Sequence, residues 1–125
     1  MFPAMPRATL DESQIHPAIR PRVAAFYADT MQEVLQAIAA HAVVVVGMGQ
    51  NPFPKKARKA LDAAGIAHHD IDYGNYFGQW RKRSALKMWT GWPTLPMVFV
   101  RGTLVGGALE LIALIESGEL KRMLA

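Results

Sequence analysis

The chain contains no cysteine. That absence excludes a disulfide framework, a thiolate metal ligand and a cysteine nucleophile, and it leaves the redox character of the compartment unread. Long apolar runs are missing too. The most apolar window, Ala37 to Met48, is interrupted by His41 and falls well short of the roughly 20 residues that cross a bilayer. The N-terminal stretch scatters Pro3, Pro6, Asp11, Glu12 and Pro17 among its apolar positions, unlike the basic start and unbroken apolar core of a secretory signal. Repeats and low-complexity tracts are absent as well. The expectation is a soluble, cytoplasmic protein without a membrane partner.

What is present suits one ordinary core: 125 residues, 51% of them apolar and 9% aromatic. The formal charge of +4 is gathered largely in two local groups, Lys55/Lys56/Arg58/Lys59 and Arg81/Lys82/Arg83/Lys87. Local groups of that size suit an acidic protein partner or a small anion rather than nucleic acid. The first group sits on a helix whose apolar positions are Ala57, Ala60, Leu61 and Ala64, so a solvated face is its plainest reading.

Met1 to Arg22 is rich in proline, which fixes φ and donates no hydrogen bond, so it reads as an extended arm with at most a helical turn near Leu10 to Ile15. Residues 1–29 are assigned to this arm and 30–125 to a folded domain. Thr30 and Glu33 have the spacing of a capping box, and Met31, Val34, Leu35 and Ile38 recur on one helical face that ends near His41. Ala42 to Val46 is a β-branched run apolar on both sides, the pattern of a central strand. A second helix from Lys55 to Ala64 stops at Gly65, and Ile66 to Ile71 supplies the next strand. A third helix spans about Phe77 to Trp89, Met97 to Val100 and Thr103 to Val105 flank a tight turn at Arg101-Gly102, and a last helix runs from Gly106-Gly107 to Gly118. A parallel strand pair followed by an antiparallel hairpin, with helices on both faces, predicts an α/β thioredoxin-like fold with a four-stranded mixed sheet.

The stretch Trp92-Pro93-Thr94-Leu95-Pro96, followed at fixed intervals by Arg101-Gly102 and Leu104-Val105-Gly106-Gly107, resembles the glutaredoxins, and their monothiol branch in particular. The resemblance runs from Ala42 to the C-terminus and implies a role in cell redox homeostasis. It places the family's nucleophilic cysteine at Asn51, counted back from Leu61, and the second motif position at Pro54. An asparagine amide lacks thiolate nucleophilicity and cannot cycle between oxidation states, so thiol–disulfide exchange is excluded at this position. The iron–sulfur cluster that the monothiol branch holds needs the same thiolate, and none is expected here.

Glutathione is a separable question. The resemblance implies that Leu95 offers backbone hydrogen bonds beside a cis Leu95-Pro96 bond, and that Arg83 and Lys87 face a ligand carboxylate. It also brings Asn51, Phe53, Thr94, Pro96 and Gly107 to the groove. Two anchors have changed: Met48 stands where the family carries a lysine, and Leu109, next to Ala108, where it carries an acid. If each lost charge-assisted contact is worth roughly 1.5–3 kcal/mol, the pair weakens glutathione by about two to four powers of ten. Millimolar binding or none is the expectation.

His68, Asp70 and Asp72 alternate along a strand and would share one face, but they read more simply as polar strand-edge residues than as a metal site, and no metal is expected. His16 and His41 carry no motif. Tyr73, Tyr76, Phe77, Trp80, Trp89 and Trp92 gather around the third helix, where most should be core. The leading functional reading is a non-catalytic binding or regulatory module for glutathione or a peptide segment. The alternatives are a transferase-like enzyme, in which Tyr73, Tyr76 or Asn51 activates the thiol of glutathione, and a structural partner docking through Met1 to Arg22 or the basic helix.

Overall fold

A computed structural model of the protein describes residues 6–125. Its centre is β1 (Val43–Gly47), in which every residue is buried. A run of four valines can lie there because both faces of the strand are covered, so neither side-chain direction needs to be polar. β1 pairs in parallel with β2 (His69–Asp72) and antiparallel with β3 (Met97–Val100), which pairs in turn with β4 (Thr103–Gly106). The sheet order is therefore β2-β1-β3-β4. Arg101 and Gly102 both take left-handed φ, 47° and 79°, the twist that a two-residue hairpin between β3 and β4 requires.

The two-residue period of the strands divides the apolar residues into two cores. Val44, Val46, Met97 and Phe99 point to one face, against Val34 and Ala37 of α2 (Ala28–Ala40) and Leu86 of α4 (Trp80–Thr90). Val43, Val45, Val98 and Val100 point to the other, against Ala57 and Leu61 of α3 (Pro52–Ala63), Leu111 of α5 (Ala108–Ser117) and Leu120 of α6 (Glu119–Leu124). This is the thioredoxin-like arrangement that the sequence predicts. Among the described residues no helix is long and apolar enough to cross a membrane.

The departures from expectation concern helix ends and the start of β2, which begins at His69 rather than Ile66. Residues 20–25 form a helix, α1 (Arg20–Ala25), inside the stretch read as extended, because Pro21 lies in its first turn, where a fixed φ helps and the missing N–H costs nothing. α3 likewise starts at Pro52 rather than Lys55. The short turn expected near Leu10 to Ile15 is present over Glu12–Gln14, and the part of the arm from Met1 to Met5 lies outside the described residues. The Thr30/Glu33 capping box does not form: α2 begins at Ala28 after a left-handed Tyr27, and the Glu33 carboxylate accepts the Tyr73 hydroxyl proton at 2.6 Å instead. α4 starts at Trp80, since Phe77 is held in a turn by its N–H to Asn75 Oδ1 at 2.8 Å. Beyond Gly118 the chain continues as α6, whose last carbonyls, Met123 O and Leu124 O, accept from the Arg101 guanidinium at 3.0 and 2.8 Å.

Candidate functional site

The C-terminal end of β1 leads into a loop tied down by backbone bonds: Tyr73 N–H donates to Gly47 O at 2.9 Å and Gly49 N–H to Gly74 O at 2.6 Å. A left-handed Gln50 then turns the chain into α3. Asn51 is the N-cap of that helix. Its Oδ1 accepts the Phe53 N–H at 2.9 Å, and its Nδ2 donates to Leu95 O at 3.4 Å across the gap to the turn before β3. The first three helical residues are Pro52, Phe53 and Pro54. Two of them have no N–H, and the third is engaged by Asn51, so the usual donors of a helix N-terminus are withdrawn from any anion.

Beside Asn51 lies a groove of about 260 Å³ between Phe53 on α3, the Thr94-Leu95-Pro96 turn, and Gly107 to Glu110 at the head of α5, with Trp92 in its lining. The Leu95-Pro96 bond is cis, as the resemblance implies. Phe53 and Leu109 are exposed on opposite rims. At the α5 end, Glu110 Oε1 accepts the Gly107 N–H at 2.9 Å. A Cβ at position 107 would stand 3.3 Å from that oxygen and 3.4 Å from Pro96 O, close enough to press on the Glu110 side chain. Asn51 also borders a second cavity of about 430 Å³, shared with Met48, Lys55, Arg58 and Asp72.

With this geometry the relatives can be weighed. The Glutaredoxin family model matches residues 43–105, from β1 to β4. The glutaredoxin-like protein of Dictyostelium discoideum is 42% identical over 95 residues, 76% of this chain and 77% of that protein. The chain belongs to the glutaredoxin family. Among solved structures, oxidized glutaredoxin 2 from Chlamydomonas reinhardtii is similar at a TM-score of 0.65 and 28% identity, covering 78% of this chain and 92% of that one. The buckwheat glutaredoxin–glutathione complex shares the fold at a TM-score of 0.67 and 24% identity, over 76% of this chain and 86% of that one.

Measured against a glutaredoxin groove, the sequence-predicted residues fall into two sets. Phe53, Thr94, Leu95, Pro96 and Gly107 line one cleft, with Asn51 bonded to its edge. Arg83 and Lys87 do not line it, and Arg83 is turned inward rather than toward a ligand carboxylate. Arg83 is 7% exposed, and its Nη1 donates to Tyr73 O at 2.8 Å and Gly78 O at 2.5 Å. A buried cation must satisfy its donors locally, and the carbonyls of the loop before α4 are what it meets. Lys87 lies one turn further along α4, half-buried. Glu110 was missed by sequence reasoning, although an acid three residues after a helix-opening glycine is a recognisable capping signal.

The iron–sulfur cluster of the monothiol branch does not fit these residues. The side chain at position 51 is an amide with both polar atoms engaged inside the protein, and the chain carries no thiolate to replace it.

The strand-edge set is an ion-pair network. His68 Nδ1 meets Asp70 Oδ1 at 2.6 Å and Nε2 meets Asp62 Oδ1 at 2.8 Å. Arg58 pairs with Asp72 at 2.5 Å and Asp70 at 3.5 Å. Burial lowers the His68 pKa, but hydrogen bonds and charge from Asp62 and Asp70 outweigh it and hold the imidazole above its ordinary value. Among the described residues no three His, Cys, Asp or Glu side chains are grouped to hold a metal ion. His16 accepts the Ala18 N–H, and His41 stacks flat on His69 at 4.2 Å between ring centroids.

The aromatic group corrects another expectation. Tyr73 is core, but Tyr76, Phe77, Trp80 and Trp89 are exposed, Phe77 to 88%. Their spacing misleads because the helix begins only at Trp80. Burial, then the bond and charge of Glu33, push the Tyr73 phenol well above its usual range. A hydroxyl so held toward α2 is a poor activator of a ligand thiol.

Proposed function

We propose that this glutaredoxin is a non-catalytic binding module, whose groove between α3 and α5 receives an extended peptide-like ligand along Leu95 and takes glutathione weakly. The observation that carries the reading is the role of Asn51. At the position the resemblance gives to the nucleophile, its side chain caps α3 and reaches Leu95 O, so it is part of the scaffold rather than a reactive group. Glutathione is a reasonable weak ligand because the cis turn and the Gly106-Gly107 pair are kept, and because a buckwheat relative is described as a glutaredoxin–glutathione complex. Weak rather than tight binding is supported by the surroundings of the groove. Leu95 O and Gly107 N–H are engaged by Asn51 and Glu110, Met48 is buried, and Leu109 replaces an acid with an apolar rim.

Titrating ¹⁵N-labelled protein with reduced glutathione to about 10 mM tests this reading. Unsaturated shifts centred on Phe53, Leu95 and Gly107 are expected, with no turnover in a thiol–disulfide exchange assay. Micromolar saturation, or no shifts in the groove with either glutathione or an extended peptide, would sink it.

A further inference from the structure

We propose a second, separate docking surface on the opposite layer: the face formed by α1 and α4 binds an acidic amphipathic helix of a partner protein. α1 buries none of its residues. Ile19, Val23 and Phe26 remain 46%, 50% and 48% exposed, and Met88 of α4 is 67% exposed. These four side chains and Arg22 enclose a groove of about 410 Å³. An adjoining cavity of about 410 Å³ shares Val23, Phe26 and Met88 and extends to Leu35 of α2. Trp80, also exposed, lies about 12 Å away along α4 and about 80° round the helix from Met88, with Ser84 between them, so the apolar surface is centred on the groove itself. Four exposed apolar side chains gathered on one groove are uncommon on a surface without a partner.

Three features select the occupant. The surface is concave between helices, and such a groove is filled by side chains projecting at i, i+3, i+4 and i+7 from an apposed helix. Its walls are cationic: α1 carries Arg20 and Arg22, α4 carries Arg81, Lys82, Arg83 and Lys87, and neither helix contains an acid. Arg83 is buried and Lys82 lines a separate cavity with Asp29 and Glu33 of α2, which leaves Arg22 in the lining of the groove, with Arg81, stacked over the Trp80 ring, and Lys87 elsewhere on α4. All salt bridges among the described residues involve Arg58 or His68, so these three cations have no acidic partner there. Symmetric pairing of two copies through this face would set the same cations against one another, which disfavours a second copy as the occupant.

The probe is a fluorescein-labelled synthetic helix with Leu at the i, i+3, i+4, i+7 positions and Glu and Ala elsewhere. Two controls accompany it: the same composition with the Leu positions shuffled, and a version with Lys for Glu. Expected are saturable binding below about 100 μM that weakens with salt, amide shifts at Val23 and Phe26, and a loss of at least tenfold in Met88→Asp and in Val23→Asp. Both positions are exposed, so the variants should keep their circular dichroism and melting temperature. Should one misfold, salt dependence and Met88 methyl shifts of the intact protein still decide. No binding at about 1 mM, equal binding of either control peptide, preference for phosphatidylserine vesicles, or self-association abolished by Met88→Asp would each overturn the proposal. Glutathione shifts at Leu95 are read separately, because this face shares no residue with that groove.

Discussion

Replacing Asn51 gives the sharpest test of whether position 51 is scaffold. In Asn51→Ala two interactions are lost. The N-cap bond to Phe53 N–H is worth about 1 kcal/mol, and the longer bond to Leu95 O about 0.5 kcal/mol. The sum, about 1.5 kcal/mol, would lower the melting temperature of a domain this size by roughly 5–8 °C. Asn51→Asp separates the two parts. It keeps an oxygen to accept the Phe53 N–H and gains little more from the helix end, where Pro52 and Pro54 have no N–H, while losing the donor to Leu95 O, a bond worth about 0.5 kcal/mol. The aspartate variant is therefore expected within about 0.5 kcal/mol of the parent and the alanine variant clearly below it. Urea titrations and thermal melts of the three proteins measure this. An alanine variant as stable as the parent, or an aspartate variant as unstable as the alanine one, would refute the account of Asn51 as a helix cap clamped to the cis turn.

Arg83→Met would leave Tyr73 O and Gly78 O without their donor and is expected to cost about 2–4 kcal/mol in urea unfolding. A variant of unchanged stability but weakened glutathione shifts would make Arg83 a ligand contact rather than a support for these carbonyls. His68 makes stability depend on pH in a defined direction. Its folded pKa is raised, so the charged pairing with Asp62 and Asp70 contributes fully below the unfolded value of about 6.5 and is lost as pH rises through the folded value. The stability difference between the parent and His68→Asn should therefore shrink from mildly acidic to alkaline pH, and a difference that grows would contradict the network.

The sheet was legible because its signals are local. The valine run of β1 and the Arg101-Gly102 turn carry their period and φ requirements in the residues themselves, and both elements lie within a residue of where the pattern puts them. Proline misled twice for one reason. Pro21 lies in the stretch read as an extended arm and Pro52 ahead of the expected helix, yet a first helical turn has no use for their missing N–H, and both stand in first turns. Side-chain partners were the least legible. Thr30 and Glu33 have capping spacing, but Glu33 is drawn to Tyr73, 40 positions away, and Arg83 turns inward to carbonyls that no linear pattern reveals. Gly107 and the Thr94-Leu95-Pro96 turn meet at one cleft because they shape backbone, whereas the head of Arg83, a long cation that can reach several places from one Cα, turns away from it.

The head of α3 carries a last expectation that ties position 51 to its neighbours. If the chain had lost only a sulfur, Asn51→Cys would restore a reactive thiolate. The geometry argues otherwise. A thiolate at a helix N-terminus is stabilised by the unpaired N–H groups of the first turn together with the macrodipole. Here Pro52 and Pro54 remove two of those groups, and only the Phe53 N–H would be released by the substitution. Lys55 and Arg58 border the cavity beside position 51, but Arg58 is already paired with Asp72 and Asp70. The introduced thiol is therefore expected to titrate within about one unit of the free value near 8.5, followed by thiolate absorbance against pH. Replacing Pro54 with alanine in the same background returns an N–H to the helix end and should lower that value further. A strongly acidic thiol in Asn51→Cys alone would show that the helix end still serves anions, and that the prolines did not withdraw its donors from the site.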